Sequence, residues 1–252
     1  MSIITEALGV LAPHKCDVCG GFADNEDNMG MIDRVYSEIY GSRRDFHICS
    51  VCLSGLVPQA KDKRWFTCLS NPVEGDPYPD LALFMPFSYS GVVSSAIPAI
   101  KFGGRKGIAR LFGILLGYVA LNEGIQVDLI TPVPLSKARR EERGFNQAFE
   151  IAYPLGKILE RPVAEGVIRR KRNTGKQSEI TDVTLRAVNV SGAFESDGSW
   201  DIDGLRILLV DDVSTTGFTM KEAATVLMEA GAQDVLCCAF SGNRQIKNDE
   251  PF

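Results

Sequence analysis

Histidine, tryptophan and net positive charge are what this 252-residue sequence has least of, with two histidines and two tryptophans in all. Its 27 Lys and Arg stand against 32 Asp and Glu, for a formal net charge of -5. No global field exists to draw the chain onto nucleic acid, so any affinity for a polyanion must be local. The longest unbroken apolar run, Leu111 to Leu121, is far short of the roughly 20 residues that cross a bilayer as a helix, and it reads as core. No membrane insertion is expected. The first residues, Met1 to Lys15, lack a basic lead-in and carry Glu6 inside their apolar stretch, which makes a poor secretory leader. The expected location is cytoplasmic. No repeat or low-complexity tract occurs, and 24 Gly, 12 Pro and 7 Cys exclude collagen-like, disordered and disulfide-scaffold compositions.

The composition changes near residue 75. Five of the seven cysteines and both histidines, His14 and His47, lie before it. Alternating helix and strand patterns of an α/β protein follow it. The stretch Asn71 to Asp80, with three prolines and three acids, reads as a linker, which divides the chain into a cysteine-rich region, 1–75, and an α/β domain, 76–252. In the second part Ile108, Leu111, Phe112, Leu115 and Val119 mark one face of a helix, and Val127 to Val133 a buried strand. A helix is expected after Asn146, kinked or broken at Pro154, and another strand over Val163 to Ile168. The last unit is the clearest: strand Arg206 to Val210, a polar loop, a helix carrying Met220, Ala223, Ala224, Leu227 and Met228 on one face, and a strand from Val235 to Phe240.

In a reducing compartment, closely spaced cysteines favour metal or redox roles over disulfides. Cys16-x-x-Cys19 and Cys49-x-x-Cys52 are two such pairs, 29 residues apart, and zinc favours four thiolates in a tetrahedron. A structural zinc site on Cys16, Cys19, Cys49 and Cys52 is the expectation; four sulfur ligands leave no open position for catalysis. The redox alternative needs a βαβ context that is missing here. His47 is placed either as a substitute ligand or as a polar neighbour, while Cys237 and Cys238 read as packing residues.

The segment Val210 to Thr219, VDDVSTTGFT, stands at the carboxyl end of a strand and the start of a helix, where α/β proteins bind ligands. Ser214, Thr215, Thr216 and Thr219 offer hydroxyls, Gly217 lets backbone N–H groups approach, and the helix N-terminus adds partial positive charge. Those features suit a phosphate. Asp211 and Asp212 suit sugar hydroxyls or a divalent cation instead. The plain alternative is a Ser/Thr-rich turn with an aspartate cap.

That string resembles the thirteen-residue signature of type I phosphoribosyltransferases. Tyr89 to Lys106, Thr131 to Ala152 and Arg169 to Phe194 in turn resemble successive blocks of the ComF family, to which GntX-type proteins also belong. The resemblance implies a type I phosphoribosyltransferase fold, a mostly parallel sheet flanked by helices, preceded by a small zinc-ribbon-like region. It implies that Asp211 and Asp212 bind the ribose hydroxyls of phosphoribosyl pyrophosphate, and that Val213, Ser214, Thr215, Thr216, Gly217 and Thr219 cradle its 5-phosphate. Leu135, Ser136 and Lys137 take the place of the pyrophosphate loop, and Arg169 to Asn189 that of the loop that closes over substrate. The implied reaction is pentosyl transfer: a nitrogen nucleophile displaces pyrophosphate from C1 of the ribose, with Mg2+ carrying the diphosphate.

The charge distribution agrees. Segments 101–110, 137–143 and 169–176 hold 13 of the 27 basic residues in 25 positions. Lys137, Arg143, Lys171 and Arg172 are the candidates for stabilising charge on the leaving group. No general base is evident, since both histidines lie in the cysteine region. A second function follows from the family's link to competence: a regulatory protein on the same fold that contacts single-stranded DNA or a partner of the competence machinery through the zinc knuckle and basic loops. Phe102, Phe112 and Phe145 are the aromatic residues nearest those loops, with burial the better expectation for Phe112. The acceptor is a nitrogen compound that the sequence does not name.

Overall fold

The computed structural model describes residues 14–24, 29–60, 65–69, 80–171 and 192–242. Residues 71–79, most of the stretch that reads as a linker, and 172–189, most of the stretch that the resemblance assigns to a closing loop, lie outside them. A six-stranded sheet runs in the order β1 (Phe66–Leu69), β2 (Leu81–Phe84), β8 (Asp234–Gly242), β7 (Arg206–Ser214), β4 (Leu129–Pro132), with β3 (Phe87–Ser88) also on β8. β1 is antiparallel to β2, and the remaining pairings of this sheet are parallel. A separate antiparallel pair is formed by β5 (Ile168–Arg170) and β6 (Phe194–Ser196). The helices are α1 (Gly30–Tyr40), α2 (Ser50–Ser54), α3 (Gly91–Gly103), α4 (Lys106–Asn122), α5 (Lys137–Arg143), α6 (Gln147–Leu159) and α7 (Phe218–Glu229).

The middles of the central strands, Ile207 to Val210 of β7 and Val235 to Phe240 of β8, are unbroken apolar runs because both of their faces are covered. Leu208 and Val210 of β7, with Cys238 and Phe240 of β8, belong to a core shared with α4, α6 and the cysteine region. Ile207 and Leu209, with Cys237 and Ala239, belong to a second core under α7 and the β5–β6 pair. Successive residues therefore point to opposite faces, and Cys237 and Cys238 are packing residues on either side of the sheet. On the first face Phe240 is stacked between Phe87 and Phe112, with ring centroids 4.2 and 3.7 Å away. Phe112 is fully buried, as expected. Gly113 lets α4 lie close against α6: a Cβ there would stand 2.2 Å from the Ile151 carbonyl oxygen.

Two expectations need correcting, and a third, of a kink or a break at Pro154, is narrowed. α6 continues through Pro154 to Leu159, so the proline does not break it; Pro154 packs buried beside Gly113, where its ring is used. The stretch Val163 to Ile168 is not a strand: Val163 makes a single bridge to Ile130, and β5 begins only at Ile168. β7 runs on to Ser214, which places the acidic pair on the strand rather than in a loop. α4, β4, α7 and β8 fall where the hydrophobic pattern puts them.

The cysteine region packs on α3 and α4. A Cβ on Gly55 would lie 2.4 Å from Val92 Cγ2, and one on Gly107 2.6 Å from Asp45 Oδ1. Arg110 of α4 donates to Glu150, Tyr36 and Asp45, which ties α4 to α6 and to α1 and the segment after it.

Candidate functional site

Four polar segments meet where β4 and β7 end. Val133 extends β4 by donating its N–H to the Val210 carbonyl at 2.8 Å. Asn146 then secures the start of α6 to that edge: its Nδ2 donates to the Val133 carbonyl at 3.1 Å, while its Oδ1 accepts from Ala148 N, also at 3.1 Å. Between them Ser136 caps α5 by accepting from Arg139 N. On the other side β7 delivers Asp211 to Ser214, and the chain turns at Gly217, whose φ of 77° places it in the left-handed region, into α7. No side chain caps α7, so the amides of its first turn remain able to meet an anion.

These segments enclose a cavity of about 300 Å³. Every residue from Asp211 to Met220 lines it, together with Leu135, Gln147, Lys101, Arg139, Arg143 and Arg170. The structure thus brings together Asp211, Asp212, Val213, Ser214, Thr215, Thr216, Gly217, Thr219, Leu135 and Arg143. Ser136 and Lys137 are not on the cavity wall; Ser136 is buried at the start of α5 and Lys137 is exposed. Lys171 also stands apart, 3.4 Å from Glu195. Its neighbour Arg170, the last residue of β5, faces the cavity. Arg172 lies outside the described residues.

Nothing in the sequence by itself marks Lys101, Arg139, Arg170 and Gln147 as site residues. The basic segments pointed to the first three, but only the fold decides which members of a segment face inward.

The electrostatics separate into two zones. In the acidic zone, burial and the adjacent Asp212 charge push the Asp211 carboxyl up to about 8. Burial acts on Asp212 in the same direction, but Lys101 outweighs it and holds that carboxyl below the usual aspartate range. The Lys101 Nζ is 2.8 Å from Asp212 Oδ2. In the basic zone, burial and the positive charge of Arg139 lower the affinity of both Arg143 and Arg170 for their protons. Crowded, partly desolvated guanidinium groups of this kind are stabilised by an anion placed between them. Arg143 Nε is buried and has no hydrogen-bond partner among the described residues.

The second cluster is the cysteine site. The Sγ atoms of Cys16, Cys19, Cys49 and Cys52 lie within 4.8 Å of one another. That spacing is compatible with tetrahedral zinc, whose bonds to sulfur are about 2.3 Å. Gly20, at φ 75°, makes the turn after the first pair, and Cys49 caps α2 by accepting from Cys52 N. Burial raises the Cys16 thiol, but backbone hydrogen bonds outweigh it and bring the thiol down to about 7. His47 stacks on His14 with ring centroids 3.8 Å apart and is not a member of the four-cysteine cluster.

The family model for the phosphoribosyl transferase domain matches residues 146–250. The DNA utilization protein YhgH of Escherichia coli (strain K12) is 31% identical over 199 residues, covering 77% of this chain and 83% of its own. Competence protein F of Haemophilus influenzae is 30% identical over 154 residues, covering 58% of this chain and 66% of its own. Competence protein ComFC of Bacillus subtilis (strain 168) is 30% identical over 148 residues, covering 58% and 57%. No helix among the described residues is long and apolar enough to cross a membrane.

Proposed function

We propose that this chain, which belongs to the ComF/GntX family of phosphoribosyltransferase-like proteins, binds phosphoribosyl pyrophosphate in the β4–β7 cavity and transfers the phosphoribosyl group to a nitrogen acceptor. The observation that carries the reading is the meeting, in one cavity, of an acidic pair, a hydroxyl-rich turn on a helix N-terminus and three crowded arginines. A sugar with a phosphate at one end and a diphosphate at the other needs those three environments. Ser214 to Thr219 and the first amides of α7 take the 5-phosphate, Asp211 and Asp212 the ribose hydroxyls, and Arg139, Arg143 and Arg170 the diphosphate.

In the reaction the C1–oxygen bond to pyrophosphate breaks, with its electron pair leaving on the diphosphate, and the acceptor's nitrogen lone pair forms the new bond to C1. The arginines stabilise the charge that accumulates on the leaving group, and the cavity walls position the ribose and exclude competing water. The oxygen donors of Asp211 and Asp212 suit a hard cation, and Mg2+ bound there with the substrate would neutralise part of the diphosphate charge. The four cysteines hold a structural Zn2+ in this reading.

Titration calorimetry with phosphoribosyl pyrophosphate and Mg2+ tests the binding, and pyrophosphate release against a panel of nucleobases tests the transfer. Saturable binding that is lost in Asp211→Asn/Asp212→Asn is expected. No binding by the wild-type protein sinks the reading.

The relatives' printed names favour a second role in DNA handling. Phe102 offers it a surface: it is 76% exposed beside Lys101, and Arg143 Cζ lies 5.9 Å from its ring centroid. Gel-shift assays over a range of salt should then show single-strand binding that weakens steeply with salt and is reduced in Phe102→Ala. Absence of any shift at low salt removes this role.

A further inference from the structure

Among the described residues that line the cavity, one cation is in direct contact with the acidic pair, and it comes from the far side of the sequence. Lys101 belongs to the last turn of α3, whose buried face is Val93, Ala96, Ile97 and Ile100. Ile100 is fully buried, so the backbone at position 101 is anchored by its neighbour, and Gly104 then ends the helix in the left-handed conformation. A cation in the last turn of a helix is also favoured by the helix dipole. From there the ammonium reaches 2.8 Å from Asp212 Oδ2, with the two side chains 24% and 3% exposed. A carboxylate so deeply buried needs a partner of opposite charge, and the fold supplies one.

The place Lys101 fills has a second claimant. Two adjacent carboxylates at the mouth of a phosphate-binding turn offer oxygen donors to a divalent cation, and an ammonium at hydrogen-bond distance from one of them repels such an ion. A diphosphate entering the same cavity changes the balance. Its negative charges give Lys101 and the three arginines new partners, and the divalent ion can then join with the diphosphate's own oxygens as ligands. The cation would thus enter with the sugar diphosphate rather than before it.

We propose that Lys101 is a specificity-determining residue of the cavity: it serves as the internal counter-ion of Asp212, so that the acidic pair takes up a divalent cation together with substrate and not alone. The proposal rests on the phosphoribosyl pyrophosphate reading for its substrate, but the role of Lys101 toward the bare cation can be tested apart from it. Mn2+ serves as the probe, its free fraction followed by electron paramagnetic resonance on the zinc-loaded protein. Lys101→Met removes the charge and keeps the length of the side chain; Lys101→Arg keeps the charge. Wild type and Lys101→Arg should take up little Mn2+ alone. Lys101→Met should bind it at least about tenfold more tightly, and Lys101→Met/Asp212→Asn should lose that gain. Calorimetry should show the Mg2+ complex of phosphoribosyl pyrophosphate binding more weakly to Lys101→Met than to wild type. Circular dichroism checks that each variant is folded, and Lys101→Gln replaces the methionine variant if that one is not.

Mn2+ uptake by Lys101→Met no tighter than by wild type overturns the proposal, whatever the substrate experiment gives. Failure of wild type to bind phosphoribosyl pyrophosphate overturns the substrate reading instead, while a gain of Mn2+ binding in Lys101→Met still establishes the counter-ion.

Discussion

Gly242→Ala is a perturbation on one strand that should be felt on another. Gly242 ends β8 directly opposite Ser214, the first hydroxyl of the turn that leads into α7. A Cβ built on it would stand 1.9 Å from the Ser214 carbonyl oxygen and 2.6 Å from Met85 Sδ. The methionine can swing aside; a strand carbonyl cannot. Ordinary contact begins near 3.4 Å, so the ends of β7 and β8 must part by about 1.5 Å. β3 lies along the other edge of β8, pairing Ser88 with Gly242, which limits how far β8 can retreat. Ser214, buried, has to move instead and takes Thr215 to Gly217 with it.

Overpacking of this kind costs about 2–3 kcal/mol of stability. A misplacement of about 1 Å in a positioned site costs about tenfold to a hundredfold in function, so binding of phosphoribosyl pyrophosphate should weaken by that factor in molecules that remain folded. The control is Gly156→Ala, whose Cβ would meet Val163 Cγ2 at 2.2 Å and the Arg161 carbonyl at 3.0 Å, toward the end of α6 away from the cavity. Urea unfolding and titration calorimetry on both variants separate the two effects. Both should lose stability, and only Gly242→Ala should lose affinity. Equal affinity losses in the two, or none in a folded Gly242→Ala, would refute the reasoning.

Arg110→Met removes the donor to Glu150, Tyr36 and Asp45. Glu150 is 7% exposed but keeps Lys106 at 2.8 Å, so the loss should be about 2–3 kcal/mol rather than that of a bare buried charge; a change below about 1 kcal/mol in urea unfolding contradicts this. Glu222 is buried, and burial raises its carboxyl above the ordinary glutamate value despite backbone donors at Ala193 and Phe194. A folded value above the unfolded one means that its contribution is full at low pH and declines as pH rises through the raised value. The stability of Glu222→Gln relative to wild type should therefore increase from about pH 4.5 upward; thermal unfolding in which that difference stays flat with pH disproves it. Cys52→Ser should abolish zinc in plasma mass spectrometry of the purified protein, whereas Cys237→Ser should leave the metal in place and lower only the melting temperature. Equal zinc in wild type and Cys52→Ser removes the metal site.

The parts of this fold that were legible in the sequence are those in which one local rule decides the outcome. β7 and β8 were readable because a strand covered on both faces must be apolar throughout, and the acidic pair stood out because two carboxylates at the end of such a strand are costly unless used. α3 is not legible in the sequence. Its stripe is short, it is crossed by Pro98, and the residue that matters on it, Lys101, is defined by a partner 111 positions away. Strand phase hid a second residue. With Val163 to Ile168 read as the strand, Arg169 onward looked like undivided basic loop, whereas the pairing of β5 with β6 turns Arg170 inward and sets Arg169 against Asp197.

Helical phase hid the rest. Lys137, Arg139, Arg140 and Arg143 look equivalent as a string, but α5 turns by about 100° per residue. Arg139 and Arg143, four apart, share a side and line the cavity; Lys137 falls nearly opposite, and Arg140 turns off to Glu165 at 2.7 Å. What sets that phase is the residue at which the helix begins. Ser136 does so from a buried position, through the hydrogen bond it accepts from Arg139 N. If the cavity holds a diphosphate as proposed, the part of Ser136 is to select which arginines of the run meet it, a property of the helix start that a count of basic residues does not contain.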